Sequence, residues 1–296
     1  MNPPAPREID DALLRGWPLP AIEDDGDKES RGRVLVVAGS REMPGAAVLA
    51  GTAALRAGAG KLVIATPQSA SETVARSVPE ARVIGLPEAR DGSPSRLGLA
   101  QLEGIAGATA AVLVGPGMIG REGTVAFVHE LLPLFRSSIT LLDALAMDAV
   151  ESLARFDQPV ILTPHAGEMA HLTGREKEAL QEQPAAVARR QACAWNACVT
   201  LKGATTCVAA PDQRSWIHSL QAPGLGTSGS GDVLAGIIAG LAARGAQPEH
   251  AAIWGVVLHA RAGAALARRH GALGYLAREL AAEIPALMHS FASPAA

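Results

Sequence analysis

Aromatic residues and surplus basic charge are what this sequence has least of. Phenylalanine, tryptophan and tyrosine make up 3% of its 296 residues, too few for the stacking platforms of single-stranded nucleic-acid binders. Its 26 lysines and arginines are outnumbered by 29 acidic residues, so no basic excess is available to displace counterions from a phosphate backbone. The composition therefore argues against a nucleic-acid partner and favours a small molecule.

Cysteine is also scarce, and no apolar run is long enough for a membrane. Cys193, Cys198 and Cys207 are odd in number and lack the C-x-x-C spacing of a zinc or redox pair, so we expect them to fill the core. The longest apolar run, Val233 to Ala243, is far shorter than the roughly 20 residues that cross a bilayer. Residues 1–20 lack the basic flank and apolar stretch of a secretory signal, which indicates a cytoplasmic protein with no membrane partner.

Apolar residues, by contrast, make up 48% of the chain and fall into runs of strand length. Helix-like segments separate most of these runs, which are residues 33–39, 61–67, 81–86, 110–117, 138–144 and 159–165. Buried strands that alternate with helices predict an α/β fold whose mainly parallel sheet is covered by helices on both faces.

The second half of the chain changes spacing. Shorter runs at 197–203, 205–211 and 214–219 predict a small C-terminal meander appended to the parallel strands. Helices are expected from Gly229 onward, over Gln247–His270 and over Tyr275–His289. Because no charged linker or repeat divides the chain, we expect one domain over residues 1–296, in which residues 1–31 form a surface leader with a short helix at Ile9–Leu14.

A glycine-rich loop precedes the last group of helices. In GSGD, residues 229–232, the glycines allow the backbone to curl so that N–H groups of Gly229, Ser230 and Gly231 surround an anion at the helix N-terminus. Asp232 follows in the first turn, where a general base could take a proton from an attacking hydroxyl. The same pattern also fits a glycine-rich turn in which Asp232 only stabilises the helix dipole.

Two better-known phosphate motifs are missing. GAGKL at 58–62 has leucine where a P-loop needs serine or threonine, and it lacks the upstream glycine. GSREMPG at 39–45, after the first predicted strand, lacks the G-x-G-x-x-G of a Rossmann site. The sequence therefore disfavours both a Walker NTPase and a Rossmann cofactor site.

Several longer motifs occur together in one order. They are GRVLVVAGS at 32–40, PGAAVLAGTAALRAGAG at 44–60, VGPG at 114–117, ILTPHAGE at 161–168, LKGATT at 201–206 and GTSGSGDVLAGIIAGL at 226–241. From residue 28 to the C-terminus the chain resembles the ADP- or ATP-dependent NAD(P)H-hydrate dehydratases. The resemblance implies the ribokinase-like three-layer sandwich of the carbohydrate-kinase-like domain.

The resemblance also implies a reaction. Enzymes of this family repair hydrated NADH or NADPH: the ring hydroxyl of the (S)-epimer is phosphorylated by ADP or ATP, with Mg²⁺, and phosphate then leaves. By resemblance Asp232 is the base that contacts the hydroxyl, and Gly231 also touches the nucleotide. The segment expected to line the adenine nucleotide is Lys202, Gly203, Ala204, Thr205 and Thr206.

Four further positions match those that meet the hydrated dinucleotide in the family: Ala46, Gly115, Gly117 and His165. Each has a plainer explanation, namely helix packing for Ala46, a tight turn for the two glycines and a helix cap for His165. No residue is assigned as a metal ligand. Relatives suggest a homotetramer, for which helices 251–267 and 276–287 could supply contacts.

One loop departs from the family pattern. The family carries Asp-Ala-Asp-Ala-Leu-Asn after its fifth strand, whereas this chain has DALAMDAV at 143–150. Asp143 is retained, Leu145 replaces the second acid and Asp148 replaces the asparagine. Any polar or metal-organising role of that loop is therefore in question.

Two other functions remain open at this point. A small-molecule kinase of the same fold, acting on a vitamin-precursor alcohol, would share the glycine loop, the base and the nucleotide site. A non-catalytic nucleotide sensor would share the fold alone, but a pure binder would gain from losing the carboxylate of Asp232 beside phosphate.

Overall fold

The computed structural model describes residues 5–21, 27–153, 155–219 and 222–292, and one ten-stranded sheet forms its centre. The strands are β1 (Arg7–Glu8), β2 (Arg33–Val37), β3 (Lys61–Pro67), β4 (Arg82–Leu86), β5 (Ala111–Val114), β6 (Ile139–Leu142), β7 (Val160–Leu162), β8 (Cys198–Leu201), β9 (Thr205–Ala209) and β10 (Ser215–Ser219). Their order across the sheet is β1-β10-β9-β8-β7-β6-β5-β2-β3-β4. Strands β2 to β8 are parallel, and β9 runs antiparallel to both β8 and β10.

Helices cover the sheet on both sides. They are α1 (Asp11–Gly16), α2 (Pro44–Arg56), α3 (Gln68–Ser77), α4 (Ala100–Ala106), α5 (Arg121–Leu134), α6 (Ala166–Thr173), α7 (Lys177–Glu182), α8 (Pro184–Trp195), α9 (Ser230–Ala243), α10 (Pro248–His270) and α11 (Ala277–Ala292). Short 3₁₀ helices occupy Arg96–Leu99, Ala144–Glu151 and Pro223–Leu225. The predicted parallel strands, the meander and the three late helices are confirmed.

The alternation of side chains along each strand explains the three layers. In β2, Val34 and Val36 join one buried cluster, whereas Leu35 and Val37 join the other. Successive side chains of a strand point to opposite faces, so a continuous apolar run feeds two cores at once. The first core holds α2, α9, α10 and α11, and the second holds α4, α5 and α8.

The N-terminal segment is more than the expected surface leader. Its predicted short helix exists as α1, but β1 also extends the sheet by pairing in parallel with β10. Ile9, Leu13 and Leu14 are 5%, 2% and 1% exposed, so this segment contributes to the first core. The pairing of β1 covers the sheet edge that β10 would otherwise leave open. Residues 1–4 and 22–26 of the predicted leader lie outside the described residues.

Two further expectations need correction. Cys198 and Cys207 are buried as expected, but Cys193 is exposed because it lies on the outer side of α8. Residues 251–260 of α10 are all buried within the single chain, where α10 packs between α9 and α11, and are not free for a subunit contact. Among the described residues, no helix has both the length and the apolar character that a membrane span requires.

Close packing of α9 against α2 fixes where the glycine loop lies. A Cβ atom at Gly236 would lie 2.2 Å from the carbonyl oxygen of Ala50, and one at Gly240 would lie 2.4 Å from that of Ala54. Only glycine permits this approach of two helix backbones. The N-terminus of α9 is thereby held above the carboxyl ends of the parallel strands, where ligands bind in open α/β sheets.

Candidate active site

Three neighbouring strands end in polar side chains that meet at this edge of the sheet. Asp143 follows β6, His165 follows β7 and Lys202 follows β8. The ammonium of Lys202 lies 3.1 Å from Oδ1 of Asp143 and 3.8 Å from Oε2 of Glu168. Thr163 also donates to Oδ1 of Asp143, at 2.7 Å. The lysine is therefore held by two carboxylates on a fixed part of the framework.

Electrostatics keep Lys202 charged despite its burial. Burial alone would lower the pKa of Lys202, but the nearby carboxylates of Asp143 and Glu168 outweigh it, and the net pKa is raised. Asp232 adds to this effect. A permanently charged ammonium at the strand ends is suited to holding a phosphate group.

Asp232 stands in the first turn of α9 and has unusual acidity. Burial raises its pKa most, the negative charge of Asp143 adds to the rise and Lys202 opposes it, and the net pKa is about 6. We name Lys202, Asp143, Glu168 and Asp232 the Lys202 cluster. A carboxylate with a pKa near the working pH is a better proton acceptor than an ordinary one, so Asp232 fits a general base.

The glycine loop reaches the Lys202 cluster through Gly231. A Cβ atom at Gly231 would lie 3.7 Å from Nζ of Lys202, so the loop backbone faces the ammonium. Gly229 begins the helix with φ 86° and no side-chain cap. The N–H of Ser230 is already donated to Thr227 at 3.2 Å, which leaves the backbone of Gly229 and Gly231 for the predicted anion hole.

A cavity of 790 Å³, here called the main cavity, opens beside this loop. Five of the residues predicted to contact the nucleotide line the main cavity: Lys202, Gly203, Ala204, Thr206 and Gly231. The hydroxyl of Thr205 instead pairs with that of Ser219 at 2.8 Å. An apolar wall suited to a nucleobase completes the cavity, formed by Leu225, Leu234, Val256 and Ala260.

His165 is both a helix cap and a wall of the cavities. Its Nδ1 accepts from the backbone N–H groups of Gly167 and Glu168, at 3.0 and 3.1 Å, and Glu168 accepts from the N–H of His165 at 2.8 Å. This reciprocal pairing caps α6 and assigns the ring proton to Nε2. The side chain is 58% exposed and lines both the main cavity and a second cavity of 490 Å³.

The other three residues predicted to meet the dinucleotide have strong packing reasons for their identity. A Cβ atom at Gly115 would lie 1.8 Å from the carbonyl oxygen of Asp143, and one at Gly117 would lie 2.5 Å from Cβ of Ala46. Ala46 and Gly117 are therefore neighbours, and Leu49, one turn further along α2, touches the position of Gly229. Leu49 thus connects this part of α2 to the glycine loop, whereas Gly115 lies against Asp143, and the small size of Gly115 and Gly117 follows from packing alone.

The departing loop at 143–150 forms the second cavity rather than the main one. Asp148, 8% exposed, accepts from Nε of Arg121 at 2.5 Å, and Glu151 accepts from the same guanidinium at 2.6 Å. His171 lies 3.4 Å from each carboxylate. We name Arg121, Asp148, Glu151 and His171 the Arg121 cluster. Three of its members have the spacing of metal ligands, but the guanidinium already pairs both acids.

Sequence reasoning missed three contributors to the site. Glu168 was noticed only as part of a motif, although it holds both Lys202 and the cap of α6. His218 lines the main cavity from β10. His259 is a lone buried polar residue inside the apolar stretch of α10, a pattern that could have drawn attention.

The family assignment follows from residues 34–286, which match the family described as NAD(P)H-hydrate dehydratase. The chain belongs to the NAD(P)H-hydrate dehydratase family. It is 47% identical over 288 residues to the ADP-dependent (S)-NAD(P)H-hydrate dehydratase of Xanthomonas campestris, covering 97% of this chain and 98% of that protein.

Solved structures support the same family and the ribokinase-like fold. The ADP/ATP-dependent NAD(P)H-hydrate dehydratase of Bacillus subtilis, co-crystallised with ATP and Mg²⁺, is 30% identical, with a TM-score of 0.82 over 98% of this chain and 99% of that one. A hydroxyethylthiazole kinase from Pyrococcus horikoshii has a TM-score of 0.58 at 16% identity, over 88% of this chain and 89% of that one. The kinase shares the fold alone.

Proposed function

We infer that this chain dehydrates the (S)-epimer of hydrated NADH or NADPH, coupled to cleavage of a phosphate from ADP or ATP. The observation that carries this conclusion is the buried carboxyl of Asp232, with its pKa raised to about 6, at a helix N-terminus beside a charged lysine. Family membership gives the reaction, and the geometry supplies a base and an anion site where that reaction needs them.

Asp232 performs the proton transfer. It takes the proton of the ring hydroxyl as that oxygen attacks the terminal phosphoryl group, and the bond from phosphorus to the bridging oxygen of the nucleotide breaks. The new phosphate ester then leaves as phosphate, and loss of a proton from the adjacent ring carbon restores the double bond of the dihydropyridine. ADP is thereby converted to AMP, or ATP to ADP.

Lys202 and the loop backbone stabilise the charge that moves. The ammonium lies opposite Gly231, so an anion between them meets both a cation and the positive end of α9. The apolar wall and the turn at 203–206 then receive the nucleoside. This arrangement supports the main cavity as the nucleotide site.

Magnesium fits this site as an ion carried by the nucleotide. Mg²⁺ prefers carboxylate and phosphate oxygens and is held by one or two carboxylates plus substrate phosphates. Glu168 and Asp143 present carboxylates beside Lys202, so they would hold the ion there. Bound in this way, magnesium would neutralise phosphate charge, and the Bacillus subtilis relative was co-crystallised with ATP and Mg²⁺.

The hydrated dinucleotide approaches from the His165 side of the loop. The Nε2 proton of His165 is free of the cap and available to an acceptor on the substrate. Ala46 and Gly117 are neighbours, and Leu49, one turn further along α2, reaches the position of Gly229 in the glycine loop. We assign Ala46, Gly115, Gly117 and His165 to this substrate, so that its hydroxyl meets Asp232 from the side opposite the nucleotide.

One assay tests the proposal against its alternatives. Purified protein is mixed with hydrated NADH, magnesium and either ADP or ATP, and recovery of the reduced-nicotinamide absorbance is followed together with release of free phosphate. A dehydratase gives both. A stable phosphorylated alcohol would indicate a kinase instead, and tight nucleotide binding without turnover would indicate a sensor.

Assembly and location belong to the same proposal. We expect a homotetramer in the cytoplasm. Leu273 and Leu276, at the α10–α11 connection, are 70% and 46% exposed and form an apolar surface that a partner subunit could cover. Light scattering of the purified protein gives the mass, and a monomer would contradict the expected assembly.

A further inference from the structure

The glycine loop is held by a residue that lies outside every motif. His259 of α10 is 9% exposed and projects its Nε2 toward Ser230 at the start of α9. Nε2 lies 3.1 Å from the carbonyl oxygen of Ser230 and 2.9 Å from its hydroxyl oxygen. Both contacts therefore join Nε2 of His259 to Ser230 of the glycine loop.

Chemistry fixes the direction of these hydrogen bonds. A carbonyl oxygen can only accept, so Nε2 carries the proton and donates it to Ser230. Burial lowers the pKa of His259 most, the bond to Ser230 opposes this in part and the charge of Lys202 lowers it further, so that the net pKa is about 4. The ring is therefore neutral at physiological pH and keeps this tautomer through the working range.

The loop needs such an anchor because its own residues hold Ser230 through a single backbone hydrogen bond, from its N–H to Thr227. Glycine has the greatest backbone freedom of any residue, and Ser230 stands between Gly229 and Gly231. Gly229 begins α9 without a side-chain cap. The N–H of Ser230 is bound to Thr227, and its other two polar groups are bound by His259. Ser230 is thus held by hydrogen bonds between two glycines, Gly229 and Gly231, whose backbones have wide conformational freedom.

The reacting centre comes directly after Ser230 in the chain. Gly231 faces Lys202, and Asp232 is the next residue. A displacement of about 1 Å at a reacting group can cost a hundredfold in rate. We propose that His259 is a positioning residue for the reaction, which sets the place of Gly231 and Asp232 relative to Lys202 by holding Ser230. The inference rests on the proposed function only for the identity of that reaction.

The test compares two variants of His259. His259→Phe fills the space but removes the donor, and we expect kcat to fall about 10- to 100-fold with little change in the KM for ADP. His259→Gln places an amide N–H near the position of Nε2, and it should restore most of the lost rate. His250→Phe, on the same helix but stacked on Trp17 away from the site, is the matched control and should keep kcat within about twofold.

A readout on Asp232 separates positioning from general loosening. The pKa of Asp232, about 6 in the intact site, is measured by NMR of its carboxyl carbon in the wild type and in His259→Phe. We expect a shift of about half a unit or more, because the distances to Asp143 and Lys202 change. This measurement needs no turnover, so it remains decisive even if the wild type fails to dehydrate the hydrate and the proposed function is wrong.

Several results would overturn the inference. One is a His259→Phe variant with near-normal kcat. Another is an unshifted pKa of Asp232 in His259→Phe, whether or not the wild type turns over the hydrate. If His259→Phe fails to fold, Ser230→Ala removes the hydroxyl contact alone. A decrease in kcat together with a shifted pKa of Asp232 in that variant supports the inference, and an unchanged kcat with an unshifted pKa contradicts it.

Discussion

The Lys202 cluster and the Arg121 cluster are built from similar groups on the two sides of His165. Each combines one permanent cation with carboxylates. The side chains of Lys202 and Asp143 are 19% and 4% exposed, whereas those of Arg121 and Glu151 are 47% and 38% exposed. Asp148 is buried in the Arg121 cluster, but water screens Arg121 and Glu151, and the guanidinium pairs both acids with good geometry.

Burial and incomplete charge pairing explain why the Lys202 cluster contains a carboxyl with a raised pKa. In the Lys202 cluster one ammonium faces three carboxylates. The pKa of Asp232 stays raised because Lys202 offsets only part of the effect of burial. Perturbed acidity of this kind is what proton transfer requires. The chemistry of a residue here therefore depends on solvent access and pairing more than on the composition of its neighbours.

The largest expected effect comes from removing the base. Asp232→Asn keeps the size of the side chain, so kcat should fall about 10² to 10⁴-fold while nucleotide affinity holds or improves. Because the folded pKa of about 6 lies above the ordinary 3.8, the folded state binds more protons, and wild-type stability declines as the pH rises through this interval. The variant should therefore melt at or above the wild-type Tm at neutral pH. Normal turnover, or a loss explained by unfolding, would remove Asp232 from its assigned role.

Loss of the cation should be next in size. Lys202→Met removes a charged donor to phosphate, and we expect the nucleotide Kd to rise about 10- to 100-fold. It also removes the group that lowers the pKa of Asp232, so the acidic limb of the kcat/KM profile should move to higher pH. Lys202→Arg retains the charge and should leave the limb in place. If the acidic limb of the kcat/KM profile moves to lower pH in Lys202→Met, the electrostatic account is wrong.

The pH profile of the unaltered protein gives the third prediction. The base must be ionised, so kcat/KM should fall as the pH drops through about 6 and be about tenfold below its plateau one unit lower. The Asp148→Asn variant should show the same limb, since the Arg121 cluster takes no part in it. Activity that is independent of pH between 5 and 8 would be inconsistent with Asp232 as the base.

His165 lies between the clusters and has two roles to separate. His165→Ala should raise the KM for the hydrate several-fold to about tenfold and, through loss of the α6 cap, lower stability by about 1 kcal/mol. His165→Asn can still cap the helix but lacks Nε2, so it should restore the Tm and leave the KM raised. If asparagine restores both, His165 serves only as a cap.

The smallest effect is expected in the Arg121 cluster. Asp148→Asn restores the residue typical of the family and should change kcat and KM by less than about threefold and the Tm by no more than about 3 °C. The wild type at high salt is the matched measurement, because screening weakens the same ion pair. A tenfold loss of activity would show that the two clusters are coupled and that the Arg121 cluster contributes to the reaction.

Much of the fold could be predicted because its signals are local. The apolar runs at 33–39, 61–67 and 110–117 became β2, β3 and β5, and the late helical patterns became α9 to α11. Asp232 was located at a helix start by the glycines before it. The sheet position of β1 could not be predicted, since a two-residue strand has no periodicity and is decided by the free edge of β10.

The sequence by itself therefore determined the alternation of strands and helices, the family and the place of Asp232, the proposed base, at a helix start, because each depends on neighbours within a few residues or on ordered motifs. The tertiary structure decided the chemistry of those residues. Lys202 meets Asp143 across 59 positions and His259 meets Ser230 across 29, through strand order and helix packing that no local pattern records. The raised pKa of Asp232 also arises only when packing removes water from a carboxyl that would otherwise titrate near 3.8.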